Sequence, residues 1–432
     1  MRKVLIIAYY FPPSGGSGVQ RVLKFVKYLR DYGWEPVVLT ASNADYPVLD
    51  TSLAEDIPSD VKIYRARIIE PYAIYRKLTK QSDRSVDVLI FSQQHTKQSI
   101  AQRFSESIRA ALFVPDARIC WLPFAIRMGK KIITREKIDL IFSSAPPYTT
   151  HLIGLGLQHY SGLPWIADFR DSWIGWFTTP QRRPYFSRAL ERKMEQRVLK
   201  KADKIIAVTK GVKDDLVSRH QECLDSRWNV LCNGFDPDDI EPIEPVQRPN
   251  DKIIVTYTGT IVSHHIPLVL TKALELLYDT EPEVVGKFIF RFIGRMGDPL
   301  KQQIKDSRVG QIFEFKPYMP HTRSIAHLKS TDYCLLIIDD VPGNSAILTG
   351  KLFEYIGVGK PILALVPQGN AAELIEDLNL GKVINPQNAI EISQVLRSIV
   401  SHPIVVKSDK QYQYSRKFQT KVLAGYFDSL AK

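Results

Sequence analysis

The stretch YYFPPSGGSGVQR, Tyr9 to Arg21, decides how the chain begins to fold. Val4, Leu5, Ile6 and Ile7 precede it as a continuous apolar run, the pattern of a buried strand. Val19, Val22, Leu23, Val26 and Leu29 follow it at i, i+3, i+4, i+7 and i+10, one face of a helix that Gly33 closes. The glycines therefore occupy a strand-to-helix turn. In a parallel α/β sheet such a turn lies at the carboxyl edge, where helix N–H groups and the helix dipole favour an anion such as phosphate. Two common nucleotide motifs are excluded. Counted from Gly16 and Gly18, the last position of G-x-G-x-x-G is Arg21, which argues against a nicotinamide or flavin enzyme. Gly350-Lys351 is followed by Leu352 and Gly359-Lys360 by Pro361, so neither is a Walker loop.

A chain of 432 residues is too long for one ordinary core, and two domains are expected. With 44% hydrophobic and 24% charged residues it reads as a folded globular protein. Cys120, Cys223, Cys232 and Cys334 lack C-x-x-C spacing and are read as reduced and mostly buried, which fits a cytoplasmic location. Met1-Arg2-Lys3 and the short apolar run imitate a signal peptide, but the run ends at Tyr9 to Pro13 without a small-residue cleavage site. No uninterrupted apolar stretch reaches the roughly 18 residues that a spanning helix needs.

The net charge of +12, from 58 basic and 46 acidic residues, favours anionic partners. Nucleic acid is not expected, because no reader helix or RNA motif accompanies the charge. One basic cluster, Arg65, Arg67, Arg76, Lys77, Lys80 and Arg84, mixes with Tyr64, Tyr72 and Tyr75. A second gathers Arg182, Arg183, Arg188, Arg192, Lys193, Arg197, Lys200 and Lys201 around Phe186, Leu190, Met194 and Val198 at spacings of four. That stripe either packs on the protein's own core or contacts an anionic inner-leaflet surface, which would make the protein peripheral on the plasma membrane.

Strand-like and helix-like segments alternate through the first half, with strands at Lys3 to Tyr9, Glu35 to Thr40, Lys62 to Arg65, Leu140 to Ser143, Trp165 to Asp168 and Ile205 to Val208. A second series runs through Ile253 to Tyr257, Phe288 to Ile293, Ile312 to Phe315, Tyr333 to Ile338 and Ile362 to Val366. This alternation implies parallel sheets with helices on both faces, hence two doubly wound Rossmann-like lobes facing a cleft. The expected boundaries are a first lobe over 1–235 with a helical insertion at about 72–118, and a proline-rich linker over 236–251. A second lobe over 252–410 and a C-terminal helix over 411–432 that crosses back to the first lobe complete the chain.

The motifs then form a set. "YYFPPSGGSGVQR", "SSAPPYTTHL", "PWIADFRDSW", "ADKIIAVTKGV", "NGFD", "YTGT", "PYMPHTRSIAHL" and above all "GKLFEYIGVGKPIL" occur in this order over nearly the whole chain. The sequence resembles the family-4 glycosyltransferases, two-lobed GT-B enzymes that transfer sugars from nucleotide donors with retention at the anomeric carbon. It is similar to a subgroup common in bacterial surface-polysaccharide clusters.

The resemblance implies a donor site in the second lobe and an acceptor site in the first. Lys351 and Glu354 fall in the first turn of a helix, where a lysine opposes the donor diphosphate and a glutamate accepts from ribose hydroxyls. Gly350 opens that helix, and Gly259 lies in "YTGT" after the first strand of the lobe. The family often carries another glutamate eight residues before Glu354, where this chain has Ala346, so Asn344 or Ser345 is expected to meet the sugar. The family's arginine and lysine after that first strand are missing from "YTGTIVSHH", and Arg295 and Lys351 are their expected replacements. Gly15, Gly16 and Gly18 are expected to give backbone access to the donor diphosphate or the acceptor.

In "DFRDSW" many relatives place an acceptor-pocket histidine where this chain has Arg170. Asp168, Arg170 and Asp171 are either a closed structural network or a set in which a carboxylate orients the acceptor hydroxyl and Arg170 contacts phosphate. His151 reads as structural. No metal is expected: Asp236-Pro237-Asp238 imitates a D-x-D motif but reads as a turn, and adjacent His264 and His265 would face opposite ways on a strand. No cofactor is expected beyond the nucleotide-sugar as co-substrate. The function implied is retaining, metal-independent sugar transfer to a glycan or lipid-linked acceptor. The alternative is a non-catalytic relative that only binds nucleotide-sugar or glycan.

Overall fold

The computed structural model describes residues 1–46, 48–69, 113–174, 183–223, 225–261, 265–341, 343–406 and 410–431. Most of the expected insertion at 72–118 lies outside the described residues, as do Tyr72, Tyr75, Arg76, Lys77, Lys80, Arg84, Arg182 and His264. The chain divides into two compact units, Met1–Cys232 with Gln419–Lys432, and Asn233–Phe418.

In the first unit, strands β1 (Arg2–Ile7), β2 (Trp34–Ser42), β3 (Lys62–Arg67), β4 (Leu140–Ala145), β5 (Trp165–Phe169), β6 (Lys204–Ala207) and β7 (Trp228–Val230) form one sheet. Its order is β3-β2-β1-β4-β5-β6-β7, and every pair is parallel. Successive side chains of a strand point to opposite faces, so Leu5 and Ile7 join one core with Leu39, Ile141 and Ala167. Val4 and Ile6 join the other with Val38, Phe142 and Ile166. Both faces are covered, which is why these strands read as continuous apolar runs. The strand order reverses between β1 and β4. Open α/β sheets place ligands outside the carboxyl edge at such a switch point. The glycine turn follows β1, and Pro146-Pro147 follows β4, so both flank it.

The second unit contains β8 (Ile253–Thr258), β9 (Phe288–Ile293), β10 (Phe313–Lys316), β11 (Tyr333–Ile337), β12 (Ile362–Leu365) and β13 (Gly381–Ile384). Their order is β10-β9-β8-β11-β12-β13, again parallel throughout, with the switch point between β8 and β11. β7 and β13 are absent from the pattern read off the sequence. They are edge strands of three and four residues with one well-buried side chain each, too few to mark a period.

The segment 236–251, read as a linker, belongs to the second unit, and the division falls at 232/233 rather than 235. Val246 N–H donates to Ala326 O at 3.2 Å, Lys329 Nζ to Ile240 O at 3.2 Å, and Arg248 pairs with Asp332 at 2.8 Å. Proline density marked an extended strap, not a free connector. The C-terminal helix Arg416–Asp428 returns to the first unit, where Phe427 packs edge-on to Trp34 at 5.2 Å and Trp34 Nε1 donates to Asp428 at 3.0 Å.

Candidate functional site

Three side chains of "GKLFEY" tie the helix Gly350–Val358 into the carboxyl edge of the second sheet. Tyr355 hydroxyl accepts from Thr258 N–H at 3.2 Å and donates to Leu335 O at 3.2 Å, fixing the helix across the β8/β11 switch point. Lys351 Nζ donates to Tyr257 hydroxyl at 2.6 Å and lies 4.4 Å from that ring's centre. Glu354 Oε1 accepts from His321 Nε2 at 3.1 Å. Burial pulls the Lys351 ammonium down to about 8 from 10.5, while the nearby Glu354 charge raises it. Burial likewise raises Tyr257. A cation held partly desolvated at a helix N-terminus gains most from an anion that replaces its lost water.

Gly259 has φ 119°, and a Cβ there would stand 2.3 Å from Lys351 Cε. The glycine is required because the lysine crosses the turn. Thr349, the residue before the helix, makes no side-chain cap, and its Oγ1 is buried without a hydrogen-bond partner among the described residues. Together with the first-turn N–H groups that no side chain caps, it leaves donors unused at the N-terminus of this helix. Arg295 is exposed on the turn after β9, its guanidinium 5.7 Å from the Tyr318 ring. It shares a shallow concavity with Tyr257, Gly259, Lys301 and Lys316. Asn344 and Ser345 form a short turn after β11, Asn344 Nδ2 donating to Asp339 O at 2.8 Å.

In the first unit the carboxyl-edge residues have other roles. Asp168 is fully buried, and accepts from Arg21 Nη2 at 2.7 Å, Arg21 Nε at 3.0 Å and Ser144 Oγ at 2.7 Å. Arg21 also donates to Leu231 O and Cys232 O, both at 2.9 Å. Asp168 therefore anchors the glycine-turn helix to β5 and does not reach an acceptor. Arg170 donates to Ala145 O at 3.2 Å and to the carbonyls of Gly18 and Pro146, bracing the two loops that flank the switch point. Its guanidinium is occupied by backbone, not left for phosphate. A Cβ on Gly18 would lie 3.3 Å from Arg170 Nη1, so that glycine makes room for the arginine. Gly15 N–H donates to Val48 O at 2.8 Å, and Gly16, with φ 88°, ends the turn.

Asp171 differs from its neighbours. It is half-buried, burial raises its carboxyl above the usual range while Arg170 opposes this, and no hydrogen bond satisfies it among the described residues. His151 is buried at 2.9 Å from Ser143 Oγ, with burial pulling it down to about 3. Asp236 accepts from the Asp238 N–H of its own turn at 3.2 Å. His265 opens the helix His265–Thr280.

The sequence reading missed Tyr257, Thr349, His321 and Arg21. Arg21 registered only as the residue that spoils a glycine fingerprint, and nothing in its spacing pairs it with Asp168. His321 stands in a quoted motif, but its partner lies 33 residues away.

The stripe of the basic helix Tyr185–Lys201 is divided. The buried face of the helix carries Ser187, Glu191, Glu195, Val198 and Leu199, so of the apolar stripe only its C-terminal half, Met194 and Val198, packs on the core. Glu191 pairs with Arg183 at 3.0 Å, and Glu195 accepts from Arg219 and His220. Tyr185, Phe186 and Leu190 are 82%, 64% and 46% exposed, beside exposed Arg188, Arg192, Lys193, Arg197, Lys200 and Lys201. Tyr64 and Arg65 of the first basic cluster are structural, donating to Glu136 at 2.6 Å and Pro12 O at 2.7 Å.

Residues 72–239 match Glycosyltransferase Family 4. No curated protein sequence matches the chain. Its fold is similar to that of sucrose-phosphate synthase from Thermosynechococcus elongatus, with TM-score 0.61 at 13% identity over 100% of this chain and 99% of that one. It is also similar to the lipopolysaccharide outer core galactosyltransferase WaaB, with TM-score 0.59 at 11% identity over 99% of each chain. A putative UDP-N-acetylglucosamine 2-epimerase from Listeria monocytogenes gives TM-score 0.55 at 12% identity over 99% of this chain and 97% of that one. At these identities the structural likeness establishes fold alone, and the family match covers residues 72–239. The two all-parallel α/β units have the GT-B fold, and residues 72–239 are similar to Glycosyltransferase Family 4.

Proposed function

We propose that this protein is a retaining, metal-independent glycosyltransferase that moves a sugar from a nucleotide-sugar donor to a saccharide or lipid-linked acceptor of a bacterial surface polysaccharide such as O-antigen, capsule or exopolysaccharide. The observation that carries the donor half is Lys351, partly desolvated on Tyr257 at an uncapped helix N-terminus with Thr349 Oγ1 unpartnered beside it. These groups suit a diphosphate, and Glu354 suits the vicinal hydroxyls of a ribose. Arg295, Lys301 and Lys316 stand where basic groups are needed on the other side of the Gly259 turn. In the first unit Asp171 is the carboxylate left to orient an acceptor hydroxyl. In the reaction the bond from the anomeric carbon to phosphate breaks, the acceptor oxygen bonds that carbon on the same face, and its proton passes to the departing phosphate. The test is incubation of purified protein with labelled UDP-, GDP- and ADP-sugars and a membrane extract. Transfer of label to lipid or glycan supports the proposal. Tight nucleotide-sugar binding without transfer or hydrolysis favours the non-catalytic alternative, and interconversion of the free nucleotide-sugars favours an epimerase.

The helix Tyr185–Lys201 supports a peripheral location in this reading. It turns its carboxylates inward, at the cost of burying charge, and leaves two aromatic residues, a leucine and six cations outside. Aromatic rings beside cations suit an anionic bilayer surface, where each basic residue adds about 1 kcal/mol. Among the described residues no helix is long and apolar enough to cross a membrane. Flotation with phosphatidylglycerol vesicles should carry the protein at low salt and fail for a Phe186→Ser, Leu190→Ser variant. Equal flotation of wild type and variant would refute this location.

A further inference from the structure

His321 opens the helix His321–Lys329, which packs beside the helix Gly350–Val358. Its Nε2 lies 3.1 Å from Glu354 Oε1. An ionised carboxylate only accepts, so Nε2 carries the ring proton and donates it to Oε1. Lys351 stands one turn earlier on the same helix face as Glu354, the spacing at which a lysine and a glutamate normally pair. No ion pair joins them among the described residues. Lys351 turns instead to Tyr257, and Glu354 to His321.

We infer that His321 is a positioning residue that holds Glu354 away from Lys351 and fixes its rotamer, so that Oε2 faces the ribose hydroxyls of the donor. This rests on the assignment of Glu354 to the ribose. The physical reason is twofold. A glutamate swung onto Lys351 would neutralise the cation that faces the diphosphate and spend the carboxylate that faces the sugar ring. A glutamate free to rotate would also lose its side-chain entropy at binding, whereas one already fixed by His321 lost it on folding. The histidine thus keeps one charge for phosphate and the opposite charge for ribose within a single helical turn.

The experiment compares the tightest binder among UDP, GDP and ADP with its 2′,3′-dideoxy counterpart, by calorimetry on the full chain. His321→Ala should weaken the ribonucleotide about fivefold and change the dideoxy form little. His321→Gln, which offers an N–H at similar reach, should restore most of the loss. Adding His321→Ala to Glu354→Gln should cost no more than Glu354→Gln alone. Equal loss for both nucleotides, or no loss in His321→Ala while Glu354→Gln does weaken the ribonucleotide, overturns the role of His321. If Glu354→Gln itself leaves the ribonucleotide unaffected, or none of the three nucleotides binds, the ribose assignment fails and this inference with it. Unchanged melting temperatures show that the variants fold. If the alanine variant does not, the glutamine variant alone carries the comparison, and a fivefold loss there overturns the role.

Discussion

If Lys351 faces the donor diphosphate, nucleotide affinity must depend on its proton. In the free protein burial holds the ammonium at about 8, against 10.5 for an ordinary lysine. That difference of about 2.5 corresponds to at most about 3.4 kcal/mol spent on keeping the charge, less where solvent screens it. A bound diphosphate returns the lysine to its ordinary range, so binding takes up a proton at any pH above about 8. Affinity for the tightest of UDP, GDP and ADP should be nearly flat below pH 7.5, then fall by almost tenfold per pH unit above 8, about 20-fold between pH 7.5 and 9.5. Calorimetry at constant ionic strength reads this slope, in a range where the phosphates are already ionised. Lys351→Met should bind weakly at pH 7.5 with no slope. Its stability should move the other way. Because the folded-state pKa lies below the unfolded one, the unfolded chain binds more protons, and wild-type stability rises with pH between 8 and 10.5. The methionine variant should therefore melt above wild type at pH 7.5, the gap closing as pH approaches 10.5. A slope that persists in Lys351→Met, or none in wild type, refutes the assignment of the lysine to the diphosphate.

Four further outcomes are expected. Asp168→Ala leaves Arg21 buried without its counter-charge and should cost about 3–5 kcal/mol of stability by urea unfolding; a loss under 1 kcal/mol would contradict the anchoring role given to the pair. Gly259→Ala drives a methyl into Lys351 Cε at 2.3 Å and should reduce nucleotide affinity at least as much as Lys351→Met, so wild-type binding there would show that the turn is not constrained. Asp171→Asn should depress sugar transfer tenfold or more with donor affinity unchanged in titration; unaltered transfer would remove it from the acceptor site. Transfer should survive EDTA, and loss restored by manganese would overturn the metal-independent reading.

The chain's own residues determined the fold class, because a strand buried on both faces must be written as a continuous apolar run and a helix on a sheet as a 3.6-residue stripe. Val4 to Ile7 and the helix after Gly18 show both patterns, and both survive in the structure. The helical placement of Lys351 and Glu354 was legible for a related reason: they lie on one short helix between the glycines that mark its ends, so local spacing records it. Pairings between distant segments are not so recorded. Asp168, Arg170 and Asp171 stand within four residues of one another, yet the structure gives them three fates: one is buried under Arg21, 147 residues away, one braces the carbonyls of Gly18 and Pro146, and one has no hydrogen bond among the described residues. The basic helix makes the same point in reverse. Its spacing left open whether Phe186 and Leu190 packed on the core or faced outward, and Arg183, Arg219 and His220, brought in by tertiary packing, made the face of Glu191 and Glu195 the one to bury. Periodicity reports what water would prefer of a helix standing alone, while burial of a charge depends on a partner that only the folded chain supplies.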